Sequence, residues 1–229
     1  MKHKPLLWTC AAILLSMAQP DTPAGGATQE WTVKSALKQI DRATKDLRWL
    51  TADVRWNERL ERLRIEGEGT VWVDLAGRMR GEVQGSNPRT VLITPPFVYV
   101  HKPTEQVVEV ASLVGQPDLL VQYLMLGFRP AGTGLKKDYE VESVRAGNLE
   151  DREVLQFVLI PKSKEVKAVV PFITLWVDQA SWFPRKLQVR HGSGGLEVTV
   201  QFGDVQVQDE QPVGKFAADW PEGTDVVRK

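Results

Sequence analysis

From Leu50 onward the chain alternates apolar and polar side chains residue by residue. Leu50, Ala52, Val54 and Trp56 hold one parity, and Thr51, Asp53, Arg55 and Asn57 the other. Leu63, Ile65, Gly67, Gly69, Val71 and Val73 then share a parity in turn. Successive side chains of a strand point to opposite faces, so this rhythm demands a sheet with one face buried and one in water. It excludes a helical bundle over the same stretch. The rhythm predicts a long strand here. Shorter strand-like runs follow at 78–84, 90–94, 97–100, 106–110, 139–145, 153–161, 173–178, 184–191 and 196–207. Gly85-Ser86-Asn87-Pro88 and Pro95-Pro96 punctuate the first of them.

Two stretches break the β period. Over 32–47, Val33, Leu37, Ile40, Ala43 and Leu47 fall on one helical face, with Thr32 placed to cap it. Over 117–126, Pro117 opens a run in which Leu119, Leu120, Tyr123 and Leu124 recur at helical spacing. Residues 127–134 read as a loop and 162–171 as an irregular connection. The expected fold is mainly β: an unclosed antiparallel half-barrel of about 10–11 strands, with helices covering its concave face.

The first 18 residues stand apart. Lys2 and Lys4 precede an apolar run over 6–17, and Ser16-Met17-Ala18 ends it in a small-x-small pattern. This is the form of a secretory signal peptide, cleaved after Ala18, with the run too short to span a bilayer comfortably. Residues 19–31 read as a flexible lead-in and 32–229 as one domain. Cleavage removes Cys10, the single cysteine, and leaves a soluble periplasmic chain without a thiol. Lys+Arg and Asp+Glu are balanced at 29 each, so loss of the two lysines leaves a slight acidic excess. No basic block marks a nucleic-acid binder.

The chain offers little chemistry. His191-Gly192-Ser193-Gly194-Gly195 is not a G-x-S-x-G elbow and reads as a hairpin turn. Residues 127–137 resemble a phosphate loop but lack its Gly-Lys-Ser/Thr ending. Asp and Glu are spread over solvent faces with no acid–base pair. His3, His101 and His191 lie far apart in sequence. The chain is therefore expected not to be an enzyme and to need no metal or cofactor.

Apolar bulk is the more informative signal. Trp31, Trp49, Trp56, Trp72, Trp176, Trp182 and Trp220 all follow the cleavage site. They fit a packed β core, an apolar cavity, or both. A half-barrel of this size has an inner face too broad for two short helices to fill. Strand parity places Val54, Trp56, Ile65, Val71 and Val73 on that inner face. Met79, Leu92, Tyr99, Phe157 and Leu159 are expected to join them, with Leu37, Ile40, Leu120, Tyr123 and Leu124 closing over the top.

The order of motifs resembles the outer-membrane lipoprotein carrier family, the LolA-like proteins. After the amphipathic helix, Leu50-Thr51-Ala52-Asp53-Val54 is similar to the family's opening strand, and Gly69-Thr70-Val71-Trp72-Val73 to its second. Tyr99-Val100-His101-Lys102-Pro103 with Glu105-Gln106-Val107 resembles the aromatic strand with its proline and glutamine. Leu159-Ile160-Pro161-Lys162 looks like the leucine-threonine-proline-lysine motif. Phe216 and Pro221-Glu222-Gly223-Thr224-Asp225-Val226-Val227 resemble the family's ending. The resemblance spans residues 32–229.

It implies a monomeric carrier that shields the acyl chains of lipoproteins or related lipids in the cavity. It also implies an inner-membrane donor transporter complex and an outer-membrane receptor as partners. Burial of an acyl chain gains about 0.8 kcal/mol per CH₂, which is why such cargo needs cover in water. The family's lid arginine falls on Leu75, followed by Ala76, leaving Arg78 and Arg80 as candidate substitutes. Thr94-Pro95-Pro96-Phe97 replaces an aspartate-glycine-lysine turn. A sensor module of the same fold, binding a lipid or peptide, is the alternative; a lipid-modifying enzyme lacks a nucleophile constellation.

Overall fold

Thirteen strands join one sheet in the computed structural model, which describes residues 30–74, 76–113, 126, 128, 135–192 and 195–228. The long alternating stretch is two strands, β1 (Trp49–Leu60) and β2 (Leu63–Asp74), joined at Glu61 and Arg62. A two-residue connection exchanges the parity, so even positions of β1 share a face with odd positions of β2: Val54 pairs with Gly69, and Ala52 with Val71. The meander continues through β3 (Met79–Gly85), β4 (Arg89–Thr94), β5 (Phe97–Lys102) and β6 (Val107–Ser112).

The chain then restarts at the opposite end of the sheet. A single helical turn, α2 (Leu135–Asp138), leads to β7 (Tyr139–Leu149) and β8 (Arg152–Pro161). β9 (Phe172–Asp178), β10 (Pro184–Arg190) and β11 (Glu197–Phe202) step back to the centre. There β11 pairs antiparallel with β1, Val200 opposite Trp56. β12 (Gln206–Gln208) extends that seam along Trp49–Thr51, and β13 (Asp225–Arg228) adds a parallel strand to β6. The spatial order runs from β13 at one end to β7 at the other, and these two ends do not pair, so the barrel is unclosed.

Sharp coiling at β2–β3 is written in glycine. A Cβ built on Gly69 would lie 1.8 Å from the carbonyl oxygen of Glu82, and one on Gly67 2.6 Å from that of Gln84. The strands approach so closely that no side chain fits between them.

α1 (Val33–Thr44) forms as the pattern predicts, and Thr32 and Ser35 cap it reciprocally through side chain and backbone. Its Ala36, Leu37 and Ile40 are buried against the concave face. The Trp31 ring meets Trp182 edge-on at 5.1 Å, and Trp31 Nε1 donates to Gln179 Oε1 at 3.2 Å. These contacts fasten the start of α1 to the β9–β10 turn. Trp182 holds φ +63, a left-handed backbone rarely seen for a bulky residue.

Three expectations need correction. The sheet has more strands than the pattern predicts, because β12 and β13 are short and barely alternate. Residues 162–171 are not irregular: Ser163 caps a helix, α3 (Lys164–Val169), by accepting from Val166 N–H at 3.2 Å. α1 stops at Thr44, whose hydroxyl donates to the Ile40 carbonyl, so Leu47 is buried beyond the helix end. Nearly all of the second expected helix, 117–126, lies outside the described residues.

Candidate functional site

The register defines the concave lining from the centre outward. Trp56 is opposite Val200, which is opposite Leu187, then Leu175, Phe157 and Val144 across β11, β10, β9, β8 and β7. On the other side Val71 is opposite Gly81, then Val91 and Val100. Val54, Trp56, Val71, Val73, Met79, Phe157 and Leu159 therefore lie on one apolar face with Leu37 and Ile40 above it, as parity predicts for that face. Ile65 shares the parity but sits partly exposed near the β1–β2 turn. Leu120, Tyr123 and Leu124 lie outside the described residues.

Leu92 and Tyr99 are corrections. Leu92 is opposite both Arg80 and Tyr99, which puts all three on the convex face. Leu92 is nonetheless 0% exposed, because a C-terminal strap, residues 209–224, covers this half of the sheet from outside. Phe216 packs on Trp49 at 5.7 Å, and Trp220 on Tyr99 at 6.1 Å and His101 at 5.2 Å. Lys215 Nζ lies 3.8 Å from the Trp72 ring centroid.

The two arginines considered for the lid also belong to this strap. Arg78 donates to Asp74 Oδ2 at 2.5 Å, with its guanidinium 5.4 Å from the Trp49 ring and 4.9 Å from that of Phe216. Arg80 donates to Glu82 at 2.7 Å and to the Ala217 carbonyl at 3.4 Å, and stands 5.8 Å from the Trp220 ring. Both lie on the side of the sheet away from α1. Burial, the largest influence on Glu82, pushes its carboxyl up. The hydrogen bonds from Arg80 and Lys215 and their charges outweigh it and hold the carboxyl below its usual range.

Burial, with the Arg80 charge second, pushes the His101 imidazole below its usual pKa, and burial does the same to His191. The unfolded chain therefore binds more protons than the folded one as pH falls through the ordinary histidine value. Stability is full above about pH 6.5 and is lost progressively below it. For His101 the slope reaches at most about 1.4 kcal/mol per pH unit. Melting curves between about pH 7.5 and about pH 5.5 should show this acid loss, and His101→Gln should reduce it.

Within the concavity, Val54, Trp56, Val71, Met79, Gly81, Val83, Arg89, Val91, Val200 and Phe202 enclose an apolar cavity of about 30 Å³. Phe128, 0% exposed, presses edge-on against Phe202 at 5.1 Å. Arg89 marks the rim: its guanidinium lies 4.9 Å from the Trp56 ring and donates to Glu58 at 2.5 Å, while Trp56 Nε1 donates to the same oxygen at 2.7 Å. Larger depressions of about 610 and 490 Å³ lie around Arg55, Glu68, Gln84 and Gln201 on the outer face. Volume alone favours those, but their charged walls are unsuited to an apolar ligand. Sequence reasoning missed Gly81, Val83, Val91, Phe128, Val200 and Phe202 in the lining. For the strand residues, alternation was the available signal. Phe128 sits between a glycine and an Arg-Pro pair, with no period to mark it.

Among the described residues, no group of three His, Cys, Asp or Glu side chains could hold a metal ion. The geometry is that of an apolar half-barrel with a helical cover.

No family model matches the chain. A curated relative, an outer-membrane lipoprotein carrier protein of Chromohalobacter salexigens, is 28% identical over 164 residues, which is 72% of this chain and 72% of that protein. An uncharacterized conserved protein from Thermus thermophilus shares the fold, with a TM-score of 0.53 and 13% identity over 86% of this chain and 98% of its own. A LolA superfamily protein from Nitrosomonas europaea aligns with a TM-score of 0.42 and 14% identity, over 80% of this chain and 96% of its own. The chain thus resembles the outer-membrane lipoprotein carriers in sequence.

Proposed function

We propose that the chain is a periplasmic carrier, which shields the acyl chains of lipoproteins or related lipids against its concave face and moves them from the inner toward the outer membrane. The observation that carries this is the continuous apolar lining from Val71 through Trp56 to Phe157, covered by α1. The relative named as a lipoprotein carrier supports the same reading. The cavity of about 30 Å³ holds about two waters, whereas ligand sites run to about 300–1,000 Å³. Cargo therefore enters by parting α1 from the sheet. In this reading residues 1–18 are a signal peptide cleaved after Ala18, and residues 32–229 form the carrier domain. The partners are an inner-membrane donor complex and an outer-membrane receptor.

Gly81 offers a test that spares the fold. It lines the cavity, and a Cβ built on it meets nothing within 4 Å. Gly81→Leu should fill the concavity while the melting temperature stays within a few degrees of wild type. Affinity for a fluorescent fatty-acyl probe should fall about tenfold or more. A folded Gly81→Leu that binds the probe as tightly as wild type would overturn the assignment.

A further inference from the structure

One end of the sheet gathers exposed apolar and cationic side chains. Successive pairings set Arg59 opposite Glu197, Glu197 opposite Arg190, and Arg190 opposite Phe172, so four strand ends lie in a row. At the β1–β2 tip Leu60 faces Leu63 across the turn, 40% and 57% exposed. Phe172 and the neighbouring Val169 of α3 are 37% and 40% exposed on the same rim.

The cations surround these prongs. Arg59 and Arg64 have side chains 62% and 66% exposed, and Arg62 stands in the turn between them. Arg190, Lys164 and Lys167 are exposed on the adjoining elements. Facing them are Glu61, Glu66, Glu165 and Glu197, so cations are in excess at one end of a chain with no net charge. The Arg64–Glu66 pair is exposed on both sides, and such pairs contribute little and exchange readily for other anions; Arg59 and Arg190 share the more covered Glu197, one carboxylate between two exposed guanidinium groups.

β2 pairs with β3 only as far as Gly67, so the tip projects about 13 Å past the β3 edge. Its apolar face, Leu60, Leu63 and Ile65, continues the parity of Trp56 into the cavity lining. We infer that this rim docks on an anionic bilayer surface, with Leu60 and Leu63 entering the headgroup region and the arginines meeting lipid phosphates. Apolar prongs flanked by cations are the chemistry of an interfacial membrane contact. The inference goes beyond the carrier reading and does not depend on what the concavity holds.

The test places a solvatochromic fluorophore on Leu63→Cys in a full chain carrying Cys10→Ser. Equimolar phosphatidylglycerol–phosphatidylcholine vesicles should shift its emission to the blue, and lipid-borne quenchers should quench it. Pure phosphatidylcholine should do neither, and a label on Val213→Cys, 97% exposed in the strap, should stay in water. Raising salt from about 0.05 M to about 0.5 M should reverse the shift without any further substitution. Replacing Arg59, Arg62 and Arg64 by Gln, with the near-ultraviolet dichroism intact, should weaken the response by roughly two orders of magnitude. A Leu63 label that stays water-like on anionic vesicles, or shifts equally on neutral ones, overturns the inference. Capture by a protein partner with no response to vesicles does the same.

Discussion

Gly69→Val should abolish cooperative folding, or lower the melting temperature by more than about 10 °C. The new Cβ would stand 1.8 Å from a backbone carbonyl oxygen, on a strand fixed by β1 on one side and β3 on the other. Overpacking a core costs about 1–3 kcal/mol when side chains can yield. Here the obstacle is the Glu82 main chain, so β2 and β3 must separate and the register Gly69↔Val83 is lost. Differential scanning calorimetry checks it: a melt within a few degrees of wild type would show that the sheet does not coil tightly here.

Val73→Glu should cost nearly as much, for a different reason. Val73 is 1% exposed, lies opposite Leu50 and Met79, and is not among the residues around the cavity. An ionised carboxylate there has neither water nor a cation, a penalty of about 3–5 kcal/mol. For a domain of this size that is a fall of roughly 6–20 °C. Burial favours the protonated acid, so the deficit should grow as pH rises above the ordinary glutamate range and shrink as it falls. A deficit independent of pH would mean that the side chain escapes to solvent.

These contrasts separate what the sequence makes legible from what it hides. The alternation of β1 and β2 reports a half-buried sheet, and the even positions of β1 do line the concavity. On β4 the same rule fails, because Val91, Leu92 and Ile93 are all buried. That unbroken apolar run is the sign of a strand covered on both faces. What covers the second face lies more than a hundred residues away in the strap, beyond the reach of any local period. Arg78 and Arg80 illustrate the same limit. Their place in the chain near Leu75 pointed to the lid, whereas their strand faces and the aromatic rings of Trp49, Phe216 and Trp220 assign them to the opposite side. Residues 162–171 read as an irregular connection because α3, six residues long, is too short to show a period. Trp31 and Trp182 read simply as apolar bulk, and only the fold brings them together at the start of α1.

The most direct measurement is native mass spectrometry of the protein purified from the cell envelope without detergent. The expected mass is that of a mature chain beginning at Gln19, carrying an acylated adduct that denaturation releases and that Gly81→Leu lacks. A ligand-free mass that persists after incubation with lipoprotein or diacyl lipid would contradict it.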